Sequence, residues 1–180
     1  MITYELALAI GFVVLCIFII TALLLKFKGI KIVIGALFIA YLTAVAGITL
    51  FPIIYDIPIE YSNGVTWYNY IPFNTVISGI QQSGLSTTTV VQFLGNILMA
   101  VPYGVFVLIF MRKKRWWKML LLALMLPIFI ESLQLVIGLA ISNMYRNVDI
   151  DDVILNTVGV YAGYGIYYLI PKKIKNMLSA

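Results

Sequence analysis

The 180-residue sequence contains no histidine and a single cysteine, Cys16. Without imidazole there is no nucleophile–histidine pair and no phosphohistidine chemistry within this chain. A zinc site of thiolate and imidazole ligands also lacks the residues to form. One cysteine cannot close an internal disulfide, so it says nothing about redox compartment. Charge is equally scarce: 11% of the residues are charged and 63% hydrophobic, where an average soluble chain is about a quarter charged. With a mean hydropathy of +1.05, the sequence is that of an integral membrane protein rather than a soluble domain. The composition calls for no cofactor; a hard cation held by carboxylates is the metal chemistry left open.

The charges that are present fall unevenly. Lys26, Lys28 and Lys31 form one cluster, Arg112 to Arg115 with Lys118 a second, and Lys172, Lys173 and Lys175 a third, while Arg146 stands alone. A net charge of +5 would suit nucleic acid, but these clusters flank apolar runs. That placement is the positive-inside pattern, a topology signal that also meets anionic lipid headgroups, and it argues against nucleic acid as a partner.

Five runs are long enough to span a bilayer: 4–25, 32–54, 90–111, 119–137 and 153–170. The expected fold is therefore an all-α integral membrane protein of about five transmembrane helices, N-terminus outside and C-terminus cytoplasmic. No basic residue precedes the first run and its positive charges follow it, which predicts a retained helix rather than a signal peptide. This topology puts eleven of the twelve basic residues inside and none of the seven acids. Pro52 marks the end of the second run, and Pro102 and Pro127 fall within the third and fourth.

Residues 55–89 form the longest connection, an external aromatic-rich loop between the second and third spans holding Asp56 and Glu60. Its centre, W-Y-N-Y-I-P-F-N-T (67–75), reads either as an interfacial aromatic belt or as a short amphipathic or re-entrant segment covering a cavity. The cluster S-T-T-T (86–89) supplies N-caps for the third span.

Polar residues inside the apolar runs carry the functional signal, because ionisable groups at membrane depth are costly and usually retained for a purpose. Glu131 and Gln134 share a helix face at i, i+3, and Gln92 and Asn96 do so at i, i+4, continuing to Ala100 and Gly104. Asp149, Asp152, Asn156, Gly159 and Gly163 follow a 3-4-3-4 spacing and make one stripe if the fifth helix begins early. Asn96, Glu131 and Asn156 lie about four to seven residues from one end of their helices, roughly 6–10 Å deep. An ion pair between Glu131 and Arg146 would keep that carboxylate charged. The glycines read as small-residue packing.

The ordered set N-x-x-x-x-x-P-x-G (Asn96, Pro102, Gly104), E-x-x-Q (Glu131, Gln134) and R-x-x-D-x-x-D-x-x-x-N-x-x-G (Arg146 to Gly159) resembles the VanZ family. T-L-F-P (49–52) and N-Y-I-P-F-N (69–74) are also similar to its pattern, with Tyr70 where the family often has an aliphatic residue. The resemblance spans most of residues 45–170 and implies one VanZ-like domain over 1–180, a multi-pass protein of the bacterial cytoplasmic membrane. It matches the family's polar positions at Asn74, Asn96, Glu131, Gln134, Arg146, Asp149, Asp152 and Asn156. The family is named for a member giving low-level resistance to teicoplanin, a lipoglycopeptide.

The resemblance implies a contribution to low-level resistance to teicoplanin-type antibiotics, and the expected means is a polar pocket at the outer leaflet that binds a lipid-linked cell-wall intermediate or a lipoglycopeptide, with membrane lipids as the other partners. Two alternatives stay open. One is an enzyme acting on a lipid phosphate, with Glu131 as base and Asp149, Asp151 and Asp152 holding Mg²⁺ or Ca²⁺. The other is a small transporter or scaffold subunit, although the five runs contain no clear internal repeat.

Overall fold

The computed structural model describes residues 1–54, 68–84, 86–111, 113–141 and 146–179. The expectations for Asp56, Glu60 and Trp67 lie outside these residues. The chain is an all-α membrane protein. Its helices are α1 (Tyr4–Leu24), α2 (Gly29–Leu50), α3 (Asn74–Ser83), α4 (Thr87–Phe110), α5 (Trp116–Ala140), α6 (Ile150–Leu169) and α7 (Lys172–Ser179). Two short strands, β1 (Tyr68–Asn69) and β2 (Val148–Asp149), pair in parallel. Four helices are long and apolar enough to cross a membrane, and a fifth span arises if α6 is counted with α7, which bends away by 111°.

Several boundaries differ from those expected, for local reasons. The second helix stops at Leu50 rather than residue 54, because a residue before proline disfavours the helical region, and Phe51 is extended (φ −115°, ψ 154°). The fourth span starts at Trp116 and runs to Ala140, beyond 119–137 at both ends. Charge marks where a chain meets water, but a helix keeps its backbone bonded through Trp116, Trp117 and Lys118. Ser86 caps α4, accepting the Thr89 N–H at 3.3 Å, so that helix begins before Val90. The last span opens at Ile150 because Asp149 caps it. Pro102 and Pro127 both sit within helices.

Packing centres on α4 and α6. Contacts run Asn96 to Asp152, Ile97 to Gly159 and Val101 to Gly163, so residue numbers rise together and the two helices are parallel. A Cβ on Gly159 would run into the Ile97 carbonyl, and one on Gly163 into the Val101 carbonyl. Only residues without side chains allow this backbone approach. Ala100, Tyr103, Leu108, Val160 and Tyr164 complete the buried core with Ala123, Leu126 and Ile130 of α5. Tyr41 joins α2 to α4 by donating to the Met99 carbonyl at 2.8 Å. Most of α1 remains exposed and apolar, as a helix facing hydrocarbon should be.

The bundle has two chemically distinct ends. At one, an antiparallel bridge joins Ile2 to Ile53, and the β1–β2 pair gathers the connections before α3 and α6. At the other lie Lys31, Lys114 and Lys175.

Candidate functional site

Most of the polar residues singled out by spacing gather at the acidic end in three hydrogen-bonded groups, organised largely by helix termini. Each terminus leaves backbone groups without intrahelical partners, and here side chains from distant segments supply them. Asp149 connects three elements. Its carboxylate accepts from Asn69 Nδ2 (2.9 Å) and from the Asp151 N–H (2.9 Å), capping α6, while its own N–H donates to Glu131 Oε2 on α5 (2.9 Å).

Asp151, 1% exposed, reaches out of α6 to the start of α3. One carboxylate oxygen accepts the Phe73 N–H and the other the Val76 N–H at 3.1 Å. Phe73 occupies the N-cap position in a left-handed conformation (φ 65°) and its side chain provides no cap. A single carboxylate therefore serves both the N-cap and the third helical residue, the two donors that a capping box satisfies with two side chains. A negative charge there also suits the helix dipole.

The α2 C-terminus is closed from the opposite direction. Arg146 Nη2 donates to the Ile48 carbonyl (3.1 Å) and the Phe51 carbonyl (2.8 Å), and Gln134 Nε2 to the carbonyl between them in sequence, Thr49, at 2.9 Å. A cation at a helix C-terminus is electrostatically favoured. The expected Glu131–Arg146 ion pair is not formed. Glu131 takes an amide N–H instead, and Arg146 takes carbonyls.

On α4, Asn96 Nδ2 donates to Asp152 Oδ1. Asn156 Nδ2 donates to the Asp152 carbonyl (2.8 Å) one turn earlier in α6. Asn96 and Glu131 are deeper than their predicted positions, because both helices extend further. Each is nine residues from its helix end, Thr87 and Ala140 respectively, or about 14 Å along the axis. Asn74 is peripheral: it is exposed, and its side-chain amide reaches Asn69 Oδ1 only at 3.4 Å. Gln92, on the Asn96 stripe, is exposed.

Three members were not on the list of matched polar positions. Asn69 bridges Asp149 and Thr75 Oγ1 and accepts the Ile71 N–H at 3.1 Å, an Asx turn entering Pro72. Thr49 presents its carbonyl to Gln134, and Asp151 caps α3. An asparagine two residues before the start of I-P-F was the available signal for Asn69.

Asp149, Asp151 and Asp152 direct their carboxylates to different N–H donors. Among the described residues no group of three or more histidine, cysteine or acidic side chains is arranged to hold a metal ion. Two acceptors inside the cluster remain unfilled: Gln134 Oε1 and Asn156 Oδ1 are buried and have no hydrogen-bond partner. Buried polar atoms without partners are uncommon, and two on facing helices mark a place for a donor.

A family model described as VanZ/LLP1 matches residues 38–171. The chain belongs to that family. The VanZ/LLP1 match contains every residue of the polar cluster and ends just after α6, leaving α1 and α7 outside it. Comparison with curated proteins and with solved structures gives no match.

Proposed function

We propose that this VanZ/LLP1 protein lies in the bacterial cytoplasmic membrane with its acidic end outward, and that its polar cluster binds a lipid-linked cell-wall intermediate or a lipoglycopeptide. By doing so it lowers susceptibility to teicoplanin-type antibiotics. The observation that carries this reading is the pair of unfilled amide oxygens on Gln134 and Asn156, set beside Glu131 and Asp152. Amide oxygens ask for N–H or O–H donors, which sugars and peptides present in number. Family membership supports the antibiotic connection, and the charge distribution supports the orientation.

The test replaces Glu131 by Gln and Arg146 by Ala, and measures teicoplanin and vancomycin susceptibility at matched protein level. Thr157→Val is the control, since Thr157 Oγ1 bonds only its own helix, at the Val153 carbonyl. The two cluster variants should move teicoplanin susceptibility toward that of cells lacking the protein, and the control should not. Unchanged resistance in both cluster variants would remove the role assigned to the cluster. The alternative of lipid-phosphate chemistry has less support, because the three aspartates already accept N–H donors from separate elements.

A further inference from the structure

Between the long helices α2 and α4, the chain from Tyr68 to Gly84 carries no charged residue. It is fixed to the bundle at two different heights. The start of α3 is held low: the Phe73 and Val76 N–H groups donate to Asp151, next to the Asp152 that takes Asn96 of α4. β1 is tied at the same level, since Asn69 donates to Asp149, whose own N–H meets Glu131 of α5. Further along α3, a Cβ on Gly79 would touch Thr89 and Phe93. Those two residues lie three to seven positions nearer the start of α4 than Asn96, or about 5–10 Å higher. The chain therefore dips to the level of Asn96 and Glu131 around Ile71–Phe73 and climbs back along α4.

The depth of that level follows from the neighbouring helices. On α4, Val91 is 63% exposed and lies five residues before Asn96; on α5, Leu139 is 63% exposed and lies eight residues beyond Glu131. Leu94 of α4 and Val136 of α5 are exposed between them. Apolar side chains exposed along a spanning helix face hydrocarbon. The apolar layer thus reaches about 7–12 Å past the point where the segment turns.

Backbone at such a depth has to be satisfied from within the protein. Ile71 donates to Asn69 Oδ1 (3.1 Å), Asn74 to the Ile71 carbonyl (3.2 Å) and Ile77 to the Phe73 carbonyl (2.9 Å), while Phe73 and Val76 use Asp151. Pro72 has no N–H to satisfy. The side chains turn the other way: Ile71, Phe73 and Ile77 are 55%, 54% and 51% exposed. Polar backbone bonded inward with apolar side chains outward suits a hydrocarbon surround, whereas in water the same face would be a costly patch.

We propose that residues 68–83 form a re-entrant hairpin that dips into the leaflet at the acidic end, with Ile71, Phe73 and Ile77 against lipid acyl chains. The occupant of this face is hydrocarbon, because the face bears no charge and lies at the depth of the exposed apolar residues of α4 and α5. The assignment does not depend on what the polar cluster binds. The leaflet is the outer one when the acidic end faces outward.

The experiment places single cysteines in a Cys16→Ser background, each labelled with one fluorophore. The full chain is reconstituted in nanodiscs of phosphatidylcholine and phosphatidylglycerol, which leave both faces open to solvent. Ile71→Cys and Ile77→Cys report on the hairpin. Val136→Cys is the reference in hydrocarbon, and Glu5→Cys, at the exposed start of α1, the reference in water. Quenching is read with phosphatidylcholine brominated on its acyl chains and, separately, with aqueous iodide. Size-exclusion elution and circular dichroism verify that each variant is folded.

Brominated lipid should quench the labels at Ile71 and Ile77 as strongly as the one at Val136. Iodide should quench them about tenfold less than the label at Glu5, because ions are excluded from hydrocarbon. Iodide quenching equal to that at Glu5 would overturn the proposal and make the hairpin a water-covered lid. Quenching by neither agent would overturn it in favour of a protein partner on the same face. Brominated-lipid quenching at Ile77 alone would also overturn it, since the turn would then stand outside the acyl layer. Should Ile71→Cys fail to fold, Tyr70→Cys gives the same comparison at a more exposed neighbour.

Discussion

Asp151 shows how much one side chain can hold in this molecule. It belongs to α6 by sequence, yet its carboxylate is committed to α3, 75 and 78 positions away. Replacing it by alanine removes the acceptor from two helix-start N–H groups, a loss of about 1–2 kcal/mol for a cap. Amide exchange over Phe73–Val76 should quicken roughly five- to thirtyfold, while exchange in the α4–α6 core stays near native. Uniform acceleration across the bundle would show instead that Asp151 supports the whole fold. At this scale the sequence was informative about residue type and less so about partner. Spacing placed Asn96, Glu131 and Asn156 together because their helices impose a common geometry. It paired Glu131 with Arg146 wrongly, because opposite charge was the only visible criterion. Backbone groups carry no sequence signature, and in the structure they are what both residues bind.

Among the elements, the α4–α6 pair makes the sharpest demand. Valine at Gly163 would set a side chain against the Val101 carbonyl and the Gly104 backbone, and overpacking of this kind costs about 1–3 kcal/mol. Gly165, two residues along the same helix, has nothing within 4 Å of an added Cβ. Gly163→Val should therefore lower the unfolding midpoint in detergent, whereas Gly165→Ala should leave it unchanged or raise it through helix propensity. Equal effects at both positions would mean that the close approach is unimportant. The 3-4 spacing of small residues made this face readable from sequence. Helix limits were less so, since apolar counting stops at the first lysine or arginine while backbone hydrogen bonding continues. The segment 67–75 admitted two readings. In the described part, Tyr68 and Tyr70 are exposed with their rings 6.1 Å apart, and a short helix follows at Asn74.

Among the described residues charge is sorted by end: the acids and Arg146 at one, the lysines at the other. This sorting was the most legible property of the sequence, because basic clusters and apolar run lengths follow directly from the chemistry of a bilayer. It leads to a direct test of the proposed orientation. In a Cys16→Ser background, Glu5→Cys should react with a membrane-impermeant maleimide on intact cells, and Lys173→Cys only after permeabilisation. The reverse pattern would invert the topology.

The cap that Asp151 provides also has a consequence in time. A chain made from its N-terminus delivers Phe73 long before it delivers Asp151, and Ile48 and Phe51 long before Arg146. Two carbonyls at the end of the second helix, and two N–H groups at the start of the third, meet these side-chain partners only when residues 146–151 have been made. Arrival of residues 146–152 then closes both at once. The final insertion event is thus also the one that locks the earlier segments, so that a chain stalled before it would be inserted but unfinished.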